Sequence, residues 1–316
     1  MLLTRLANPN IVGAGGEQMR SGRRRFLNEM AAGGLGLAGS ALGTAERKTL
    51  PAVRLGDKQI SRLIVGANPI GGWAHSTKRM SELMINYFTL ERTISFLQHC
   101  EAEGITTFQS GLARNTREAL LAVWERGSKL QYIGLGRAQD SLAGFLPLKP
   151  IAIVHNGAVT DSLFREGKHE QVHDYVKKVH DAGLLAGVST HTPQHLALME
   201  DSGWETDLYM TCMYDIYRPI EPVKAKLGED VIGELYLADD PKRMTAQVRQ
   251  VKKPCLAFKI LAAGRLCDTK ASLENAFAFA YGNIKPTDAV IVGMFPIFSD
   301  EVKEDCDLAR KYGKVA

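Results

Sequence analysis

The sequence predicts an α/β protein with the (β/α)8 fold, a TIM barrel, that follows a short export signal. Short apolar runs alternate with amphipathic stretches along most of the chain, which is the pattern of parallel strands joined by helices. The 316-residue chain keeps about 270 residues after the signal, which suits one large domain of this class. No G-x-G-x-x-G follows the first predicted strand, at Ser61–Gly66. This favours the closed barrel over the alternative, an open doubly wound sheet.

The first 45 residues carry the pattern of a twin-arginine (Tat) signal peptide. Arg23-Arg24-Arg25-Phe26-Leu27 reads as R-R-x-F-L, and a short stretch of small and weakly apolar residues follows over 31–42. That stretch is too short and too glycine-rich to span a bilayer core of ~30 Å as a stable helix. We therefore assign 1–45 to a signal that the Tat export machinery reads through Arg23 and Arg24, with a disordered basic arm as the alternative. Residues 46–316 are then a single barrel domain that acts in the periplasm or elsewhere outside the cytoplasm.

Composition excludes several classes of function. The hydrophobic fraction of 45% and the charged fraction of 23% are ordinary for a soluble globular chain. The net charge of +4 comes partly from the signal, and no later basic run with interleaved aromatic residues predicts binding to nucleic acid. The five cysteines are odd in number and lack C-x-x-C spacing, so we expect neither a disulfide framework nor a zinc site.

Eight short runs rich in Val, Ile and Leu are the candidate barrel strands, because strands buried on both faces carry nearly continuous apolar sequence. These runs are Ser61–Gly66, Thr106–Gln109, Leu130–Leu135, Ile151–His155, Leu185–Ser189, Leu208–Met213, Leu256–Leu261 and Ala289–Gly293.

Amphipathic patterns between these runs predict helices, for example over Leu90–Glu103, His169–Ala182 and Met244–Lys252. The third connecting helix, over Asp140–Leu148, is poorly marked, and Ile220–Asp240 is interpreted as a long loop after the sixth strand. Long loops at the carboxyl ends of barrel strands are where such proteins acquire specificity.

Polar residues that follow the predicted strands are the candidates for chemistry, because barrel active sites lie at the carboxyl ends of the strands. The amide side chains among them, together with Trp73, suit a neutral polyhydroxylated ligand better than an anion. We expect a small-molecule substrate to be held by Asn68, His75, Gln109, Arg114, Asn156 and Asp215.

Three strand-end residues, His155, His191 and Lys259, are the candidates for proton transfer. Imidazoles are general acids and bases near neutral pH, and a lysine inside a barrel can form a Schiff base or act as a base. A lysine paired with a carboxylate is the alternative for Lys259. Histidines with Asp215 can ligate a divalent metal, but no H-x-H or H-E-x-x-H spacing occurs, and we assign no metal ligand. The histidines expected on helices, as surface or packing residues, are His169, His173, His180 and His195.

Short segments spread over nearly the whole mature chain resemble the aldo-keto reductase superfamily. They are Arg54-Leu55-Gly56 with Ser61–Gly66 for its opening strand, Gly187-Val188-Ser189 for its fifth strand, Ile260–Leu266 for its seventh strand and loop, and Ile291–Met294 with Ser299–Asp305 for its eighth strand and cofactor-side helix. The resemblance implies a barrel that binds NAD(P), with Gly264, Arg265, Gly293 and Met294 beside the cofactor.

The resemblance also implies a catalytic Asp, Tyr, Lys and His, and here the sequence departs from the superfamily. Gln109 stands where the Asp is expected, Arg114 lies close to the Tyr position, and Arg137 follows the third strand where the Lys is expected. Only His155 remains of the set. Neither glutamine nor arginine can deliver a proton to a developing alkoxide at neutral pH, so we do not expect the usual hydride-transfer reduction.

We therefore predict an exported barrel enzyme related to the aldo-keto reductases that performs non-redox acid/base chemistry on a sugar-like carbonyl compound. The reaction is expected to be of the lyase, epimerase or aldolase type. The first alternative is an NAD(P)H-dependent aldo/keto reductase. The second alternative is a catalytically inert periplasmic protein that binds a small molecule.

Overall fold

The chain folds around a closed barrel of eight parallel strands, and the predicted fold class is confirmed. The computed structural model describes residues 48–137 and 142–315, and the predicted export signal lies outside them. The barrel strands are β3 (Leu63–Gly66), β4 (Thr107–Ser110), β5 (Gln131–Gly136), β6 (Ala152–His155), β7 (Leu185–Thr190), β8 (Leu208–Cys212), β9 (Cys255–Phe258) and β10 (Ala289–Val292). Each pairs with the next along the chain, and Val290 lies opposite Leu63 to close the cylinder.

Side chains along the strands alternate between the barrel interior and the surrounding helices, as the two-residue period of a strand requires. Ile64, Leu208 and Ile291 belong to the interior cluster, whereas Val65 and Tyr209 pack outward. Because both faces of each strand are covered, both carry apolar residues, and this is why the strands could be recognised as continuous apolar runs.

An antiparallel hairpin, β1 (Ala52–Leu55) and β2 (Lys58–Ser61), precedes the barrel. Its Leu55 and Ile60 side chains are each 1% exposed and join the interior cluster, so the hairpin covers the amino-terminal end of the barrel. Gly56 turns the hairpin with a φ of +58°, a conformation that favours glycine.

The start of β3 differs from the sequence prediction, which began this strand at Ser61, the last residue of β2. The chain bends at Arg62, whose buried guanidinium donates to the carbonyls of Asp288 at 2.8 Å and Gly313 at 3.0 Å. These carbonyl partners come from the far end of the chain, so no local pattern could reveal the break.

The helices cover the outside of the barrel and the loops at its carboxyl end. They are α1 (Asn68–Gly71), α2 (Lys78–Tyr87), α3 (Leu90–Ala102), α4 (Thr116–Glu125), α5 (Gly157–Arg165), α6 (Glu170–Asp181), α7 (Pro193–Asp201), α8 (Glu221–Leu227), α9 (Asp240–Val248), α10 (Lys270–Asn283) and α11 (Glu301–Tyr312). Helix α9 begins before its predicted start because Pro241 suits the first turn of a helix. Among the residues that the structure describes, no helix is long and apolar enough to cross a membrane.

Two of the predicted segments between strands differ in detail from the structure. The weak helix over Asp140–Leu148 is replaced, within its described part, by two 3-10 turns at Leu142–Gly144 and Leu146–Leu148. Glycine and proline within these turns disfavour a longer α-helix. The long loop over Ile220–Asp240 contains α8 and then irregular chain that reaches the mouth of the barrel.

Candidate active site

A buried carboxylate orients two histidines beside the carboxyl end of β7. Asp161 on α5 is fully buried and accepts hydrogen bonds from Nδ1 of His191 and Nδ1 of His195, each at 2.8 Å. Asp161 also accepts hydrogen bonds from the Thr190 hydroxyl at 2.5 Å and from the backbone N–H of His191 at 3.0 Å. Burial alone raises the pKa of Asp161, but the hydrogen bonds from the histidines outweigh it and hold the pKa well below its usual range. The carboxylate is therefore ionised and fixes the His191 ring.

His191 combines a fixed orientation with a neutral ring. Because Asp161 accepts the Nδ1 hydrogen bond, that nitrogen carries the proton and Nε2 keeps its lone pair. Burial lowers the pKa of His191, the Asp161 hydrogen bond opposes this effect, and the nearby Lys259 lowers the pKa further. The imidazole packs edge-on against the Phe258 ring, with centroids 5.4 Å apart. A neutral imidazole with an oriented lone pair is suited to act as a general base.

The loop after β3 brings His75 to the same end of the barrel. Its Nδ1 lies 2.8 Å from Oε1 of Glu234, and its Nε2 lies 2.8 Å from Nζ of Lys259. The Tyr236 hydroxyl donates to the other oxygen of Glu234 at 3.0 Å, and Arg265 donates to the His75 carbonyl at 3.1 Å. Because the carboxylate accepts a hydrogen bond from Nδ1–H, Nε2 is the acceptor for the lysine.

Lys259 is half-buried, and no carboxylate among the described residues pairs with its amine. Besides His75, its amine lies over the Phe258 ring at 5.5 Å from the centroid, and no ion pair to it within 4.0 Å occurs in the described part of the chain. Burial lowers the pKa of its ammonium group. Lys259 and His75 both have left-handed backbones, with φ of 58° and 53°. Such conformations cost about 1–3 kcal/mol in residues other than glycine and occur often at functional sites.

Gln109 supplies an unused hydrogen-bond donor inside the mouth. Phe108 packs outward, so the alternation along β4 points the Gln109 side chain into the barrel, beside Gly66 of β3. Gln109 is 6% exposed, and its Nε2 has no hydrogen-bond partner among the described residues. A buried N–H without a partner costs about 1–3 kcal/mol, so this donor is suited to a bound oxygen atom.

A pocket of about 560 Å³ opens beside His191. Its charged residues largely neutralise one another, because Asp240 forms ion pairs with both Arg218 and Arg243. Asp215 also lines the pocket, and burial raises its pKa. Paired charges beside apolar residues such as Met213 and Met244 favour a neutral ligand over an anion.

The structure separates His155 from His191 and Lys259. Val154 faces the barrel interior, so His155 faces outward, where its fully buried ring meets Tyr175 of α6 edge-on at 5.0 Å. Its Nδ1 bonds to the Thr160 hydroxyl at 2.7 Å, and burial lowers its pKa to about 4. His155 therefore lies under the helices and outside the mouth, because strand alternation decides which strand-end residues reach the site.

The predicted substrate residues are only partly brought together. Asn68 lies near the site, with Nδ2 3.5 Å from Nε2 of His75, and Asp215 lines the pocket. Asn156 instead caps α5, where its side chain accepts a backbone N–H of the first turn at 3.3 Å. Arg114 is exposed on the loop after β4, with a φ of 51°.

The sequence did not predict Asp161, Glu234 or the role of His195 at this site. Asp161 had a detectable signal, because Gly157, Thr160 and Asp161 follow the spacing of one buried helix face, where a carboxylate requires a partner. Glu234 had none, since it lies in irregular chain and meets His75 only in the folded protein. His195, expected as a packing residue, shares the Asp161 carboxylate.

The residues that the resemblance assigned to NAD(P) do not form a phosphate site at the end of β10. Met294 is 1% exposed, and a β-carbon on Gly293 would lie 2.7 Å from a proline ring. At the start of α11, Asp300 accepts a first-turn N–H at 3.1 Å, and Glu301 accepts a preceding backbone N–H at 2.6 Å. These carboxylates satisfy donors that a phosphate would use and add negative charge there, so the residues do not fit a dinucleotide diphosphate.

The turn after β9 is held by contacts with other parts of the protein. Gly264 has a φ of 89°, and the Arg265 guanidinium lies 3.9 Å from the Tyr236 ring centroid while it donates to the carbonyls of Ala262 and His75. Arg265 therefore joins two loops of the mouth. Across residues 48–137 and 142–315, no three His, Cys, Asp or Glu side chains form a group that could hold a metal ion.

Comparison with known proteins supports the fold and goes no further. No protein-family model and no curated protein sequence matches the chain. An aldo-keto reductase from Bacillus halodurans in its holo form is 11% identical, with a TM-score of 0.50, over 84% of this chain and 97% of that chain. A glycerol dehydrogenase from Gluconobacter oxydans is 13% identical, with a TM-score of 0.46, over 83% and 95%. A thiamine phosphate pyrophosphorylase from Pyrococcus furiosus is 12% identical, with a TM-score of 0.42, over 79% and 93%. The chain therefore has the barrel fold found in aldo-keto reductases, and identity this low shows the fold alone.

Proposed function

We propose that this protein is an enzyme that moves a proton at a carbon next to a carbonyl group, in a neutral, sugar-like substrate. The reaction is of the lyase or isomerase type. One observation carries the proposal: at the barrel mouth Asp161 orients His191, and Glu234 orients His75, whose Nε2 contacts the Lys259 amine. Paired acid and base groups of this kind are what proton abstraction next to a carbonyl requires.

His191 is the base in this proposal. Its Nε2 carries a lone pair because Asp161 holds the proton on Nδ1. Asp161 also stabilises the imidazolium that forms when Nε2 takes the substrate proton, since the carboxylate stays ionised. Gly157 leaves room for this ring, because a β-carbon there would lie 2.9 Å from Cε1 of His191.

Lys259 and Gln109 are assigned to the opposite side of the reaction. Removal of a proton next to a carbonyl sends negative charge to the carbonyl oxygen, and hydrogen-bond donors aimed at that oxygen lower the barrier. The Lys259 amine and the unused Nε2 of Gln109 are two such donors. The pairing of Arg218 with Asp240 leaves little positive charge for an anionic substrate, which supports a neutral one.

Solvent exchange tests the proposal without knowledge of the final product. The protein is incubated in D2O with a panel of aldoses, ketoses and their oxidised keto derivatives, and loss of the α-proton signal is followed by NMR. His191→Asn is expected to reduce exchange about 100-fold, the usual scale for one acid/base group. His173→Asn is the matched control, because His173 stacks on Trp204 away from the mouth. Exchange that is equal in both variants would refute the assignment of His191.

The NAD(P)H-dependent reductase remains the second candidate, because the barrel is of the kind found in aldo-keto reductases. Titration with NADPH, followed by tryptophan fluorescence, separates the two. We expect no saturable change, since Asp300 and Glu301 already occupy the start of α11. Tight NADPH binding with reduction of simple aldehydes would replace the non-redox proposal.

A catalytically inert binding protein is the third candidate. It would be favoured if a ligand binds equally well to wild type and to the His191→Asn variant and is never transformed by either.

We also propose that the chain is exported by the Tat machinery, on the strength of Arg23-Arg24 and the short apolar stretch that follows. Residues 1–45 fused to a reporter that is active only outside the cytoplasm test this. Lysine substitution of both Arg23 and Arg24 is expected to abolish the reporter signal. Undiminished signal from the substituted fusion would contradict the proposal.

A further inference from the structure

Lys259 differs from two other half-buried lysines, Lys285 and Lys253, in the groups that contact its amine. Nζ of Lys285 lies 3.0 Å from the Asp288 carboxylate, and Nζ of Lys253 donates to the Trp204 carbonyl at 2.6 Å. Lys259 meets a histidine nitrogen and an aromatic face instead. A buried ammonium without a carboxylate is costly, so this environment favours the neutral amine, which is the nucleophilic form.

The partner of Lys259 is arranged to accept a proton from it. Nε2 of His75 lies 2.8 Å from Nζ, and Glu234 holds Nδ1 on the other side of the ring at 2.8 Å. When Nε2 takes a proton, the resulting imidazolium is stabilised by the Glu234 carboxylate, whose second oxygen is held by Tyr236. The order amine, imidazole, carboxylate is the arrangement that activates a nucleophile through an adjacent base.

We propose that Lys259 forms a covalent imine with the carbonyl carbon of the substrate, and that His75 and Glu234 are positioning and proton-relay groups for this step. The inference rests on the proposed function and adds its covalent intermediate, in which the protonated imine replaces the hydrogen bond from Lys259 to the carbonyl oxygen. It narrows the substrate to an aldehyde or ketone with an accessible carbonyl group.

The step balances without a further reactant. His75 takes a proton from the Lys259 ammonium, and the neutral amine attacks the carbonyl carbon, which forms a C–N bond as the C=O π electrons move to oxygen. That oxygen takes a proton from the newly bonded nitrogen, which gives a neutral carbinolamine. The relay returns the lysine proton as the C–O bond breaks, so that water leaves and a protonated imine remains. The imine then withdraws electrons from the neighbouring C–H bond, which His191 can deprotonate.

Reductive trapping tests the imine directly. The full protein is incubated with dihydroxyacetone and sodium cyanoborohydride, and peptides are analysed by mass spectrometry. The expected result is a reduced adduct on the peptide that contains Lys259. Lys259→Arg keeps a positive charge but cannot form the imine, so its adduct should be lost. Lys253→Arg, a matched half-buried lysine on the same segment, should leave labelling unchanged.

The rate of trapping tests the proton relay through His75 and Glu234. Glu234→Gln should slow trapping at least about tenfold, because general-base assistance commonly contributes 100-fold or more. Glu234→Asp should restore part of the rate, which a purely structural role would not require if both variants fold equally well by circular dichroism. Trapping that does not differ among wild type, Glu234→Gln and Glu234→Asp would overturn the relay.

The outcomes separate this inference from the proposed function. Proton exchange that depends on His191, together with no adduct on Lys259, would overturn the imine and leave the acid/base enzyme intact. An adduct at Lys259 without any α-proton exchange would support the imine and refute the proposed use of His191. Adducts spread evenly over surface lysines would overturn the imine.

Discussion

Replacement of His155 by leucine should remove a large part of the acid sensitivity of this fold. His155 is fully buried, and burial lowers its pKa from 6.5 to about 4. Between these values the unfolded chain binds a proton that the folded protein does not, so stability falls as the pH is lowered from about 6.5 to about 4. At about 1.4 kcal/mol for each pKa unit, the gap corresponds to about 3.5 kcal/mol. The stabilising effect is complete above the unfolded pKa.

The leucine variant is suitable because it leaves no new unpaired group. The Thr160 hydroxyl that contacts His155 also donates to the Asn156 carbonyl at 3.1 Å, so it keeps a partner. Nε2 of His155 has no partner among the described residues, so its removal is not expected to cost a hydrogen bond.

Urea denaturation of wild type and His155→Leu at pH 7 and pH 4.5 measures the effect. The wild type should lose about 2–3 kcal/mol more than the variant between these two conditions, which is most of the linkage expected for this group. His169→Leu, at an exposed position, controls for the loss of one imidazole. If the free-energy difference between wild type and His155→Leu is the same at both pH values, the reasoning is refuted. Because His155 lies outside the mouth, the same variant should retain α-proton exchange.

Three further changes probe the mouth itself. Gly157→Ala should cut α-proton exchange about 100-fold, since its β-carbon would crowd His191 at 2.9 Å and Ser189 at 2.8 Å; an unchanged NMR exchange rate would contradict this positioning role. Asp161→Asn should lower the free energy of unfolding by about 3–5 kcal/mol, as expected when a buried charged partner is removed; a urea midpoint equal to wild type would show that this carboxylate is not ionised in the folded protein. Gln109→Leu should stabilise the fold by about 1 kcal/mol, because it removes a buried donor without a partner, and should raise the KM for exchange. A lower stability with unchanged KM would assign Gln109 to packing.

The fold was accessible from sequence because barrel strands have a strong local signature. All eight predicted strands are present, and their ends differ from the predicted ones by a few residues at most. Runs such as Ala289–Gly293 are apolar on both faces, so they could be recognised without knowledge of their neighbours. The hairpin that precedes the barrel was missed because its second strand continues almost directly into β3 through Arg62.

The site was accessible only in outline. Position after the parallel strands selected His191 and Lys259, and the loop after β3 selected His75. In the structure His75 contacts Lys259, and Lys259 lies near enough to His191 to lower its pKa. The same rule also selected His155, which the alternation along β6 turns toward the helices. A shift of one residue along a strand reverses which side chains face the barrel interior. Because these strands are apolar on both faces, the sequence has no polarity pattern that shows which residues point inward.

By itself, the sequence determined the barrel and the end of it that carries polar residues, because both follow from local periodicity and from the direction of parallel strands. Only the tertiary structure decided which of those residues form pairs. The Glu234–His75 contact joins residues 159 positions apart, and the Lys259–His75 contact joins residues 184 positions apart. Proton affinity at such a site depends on burial and on the charges that surround each group. Those quantities exist only once the loops have met above the barrel.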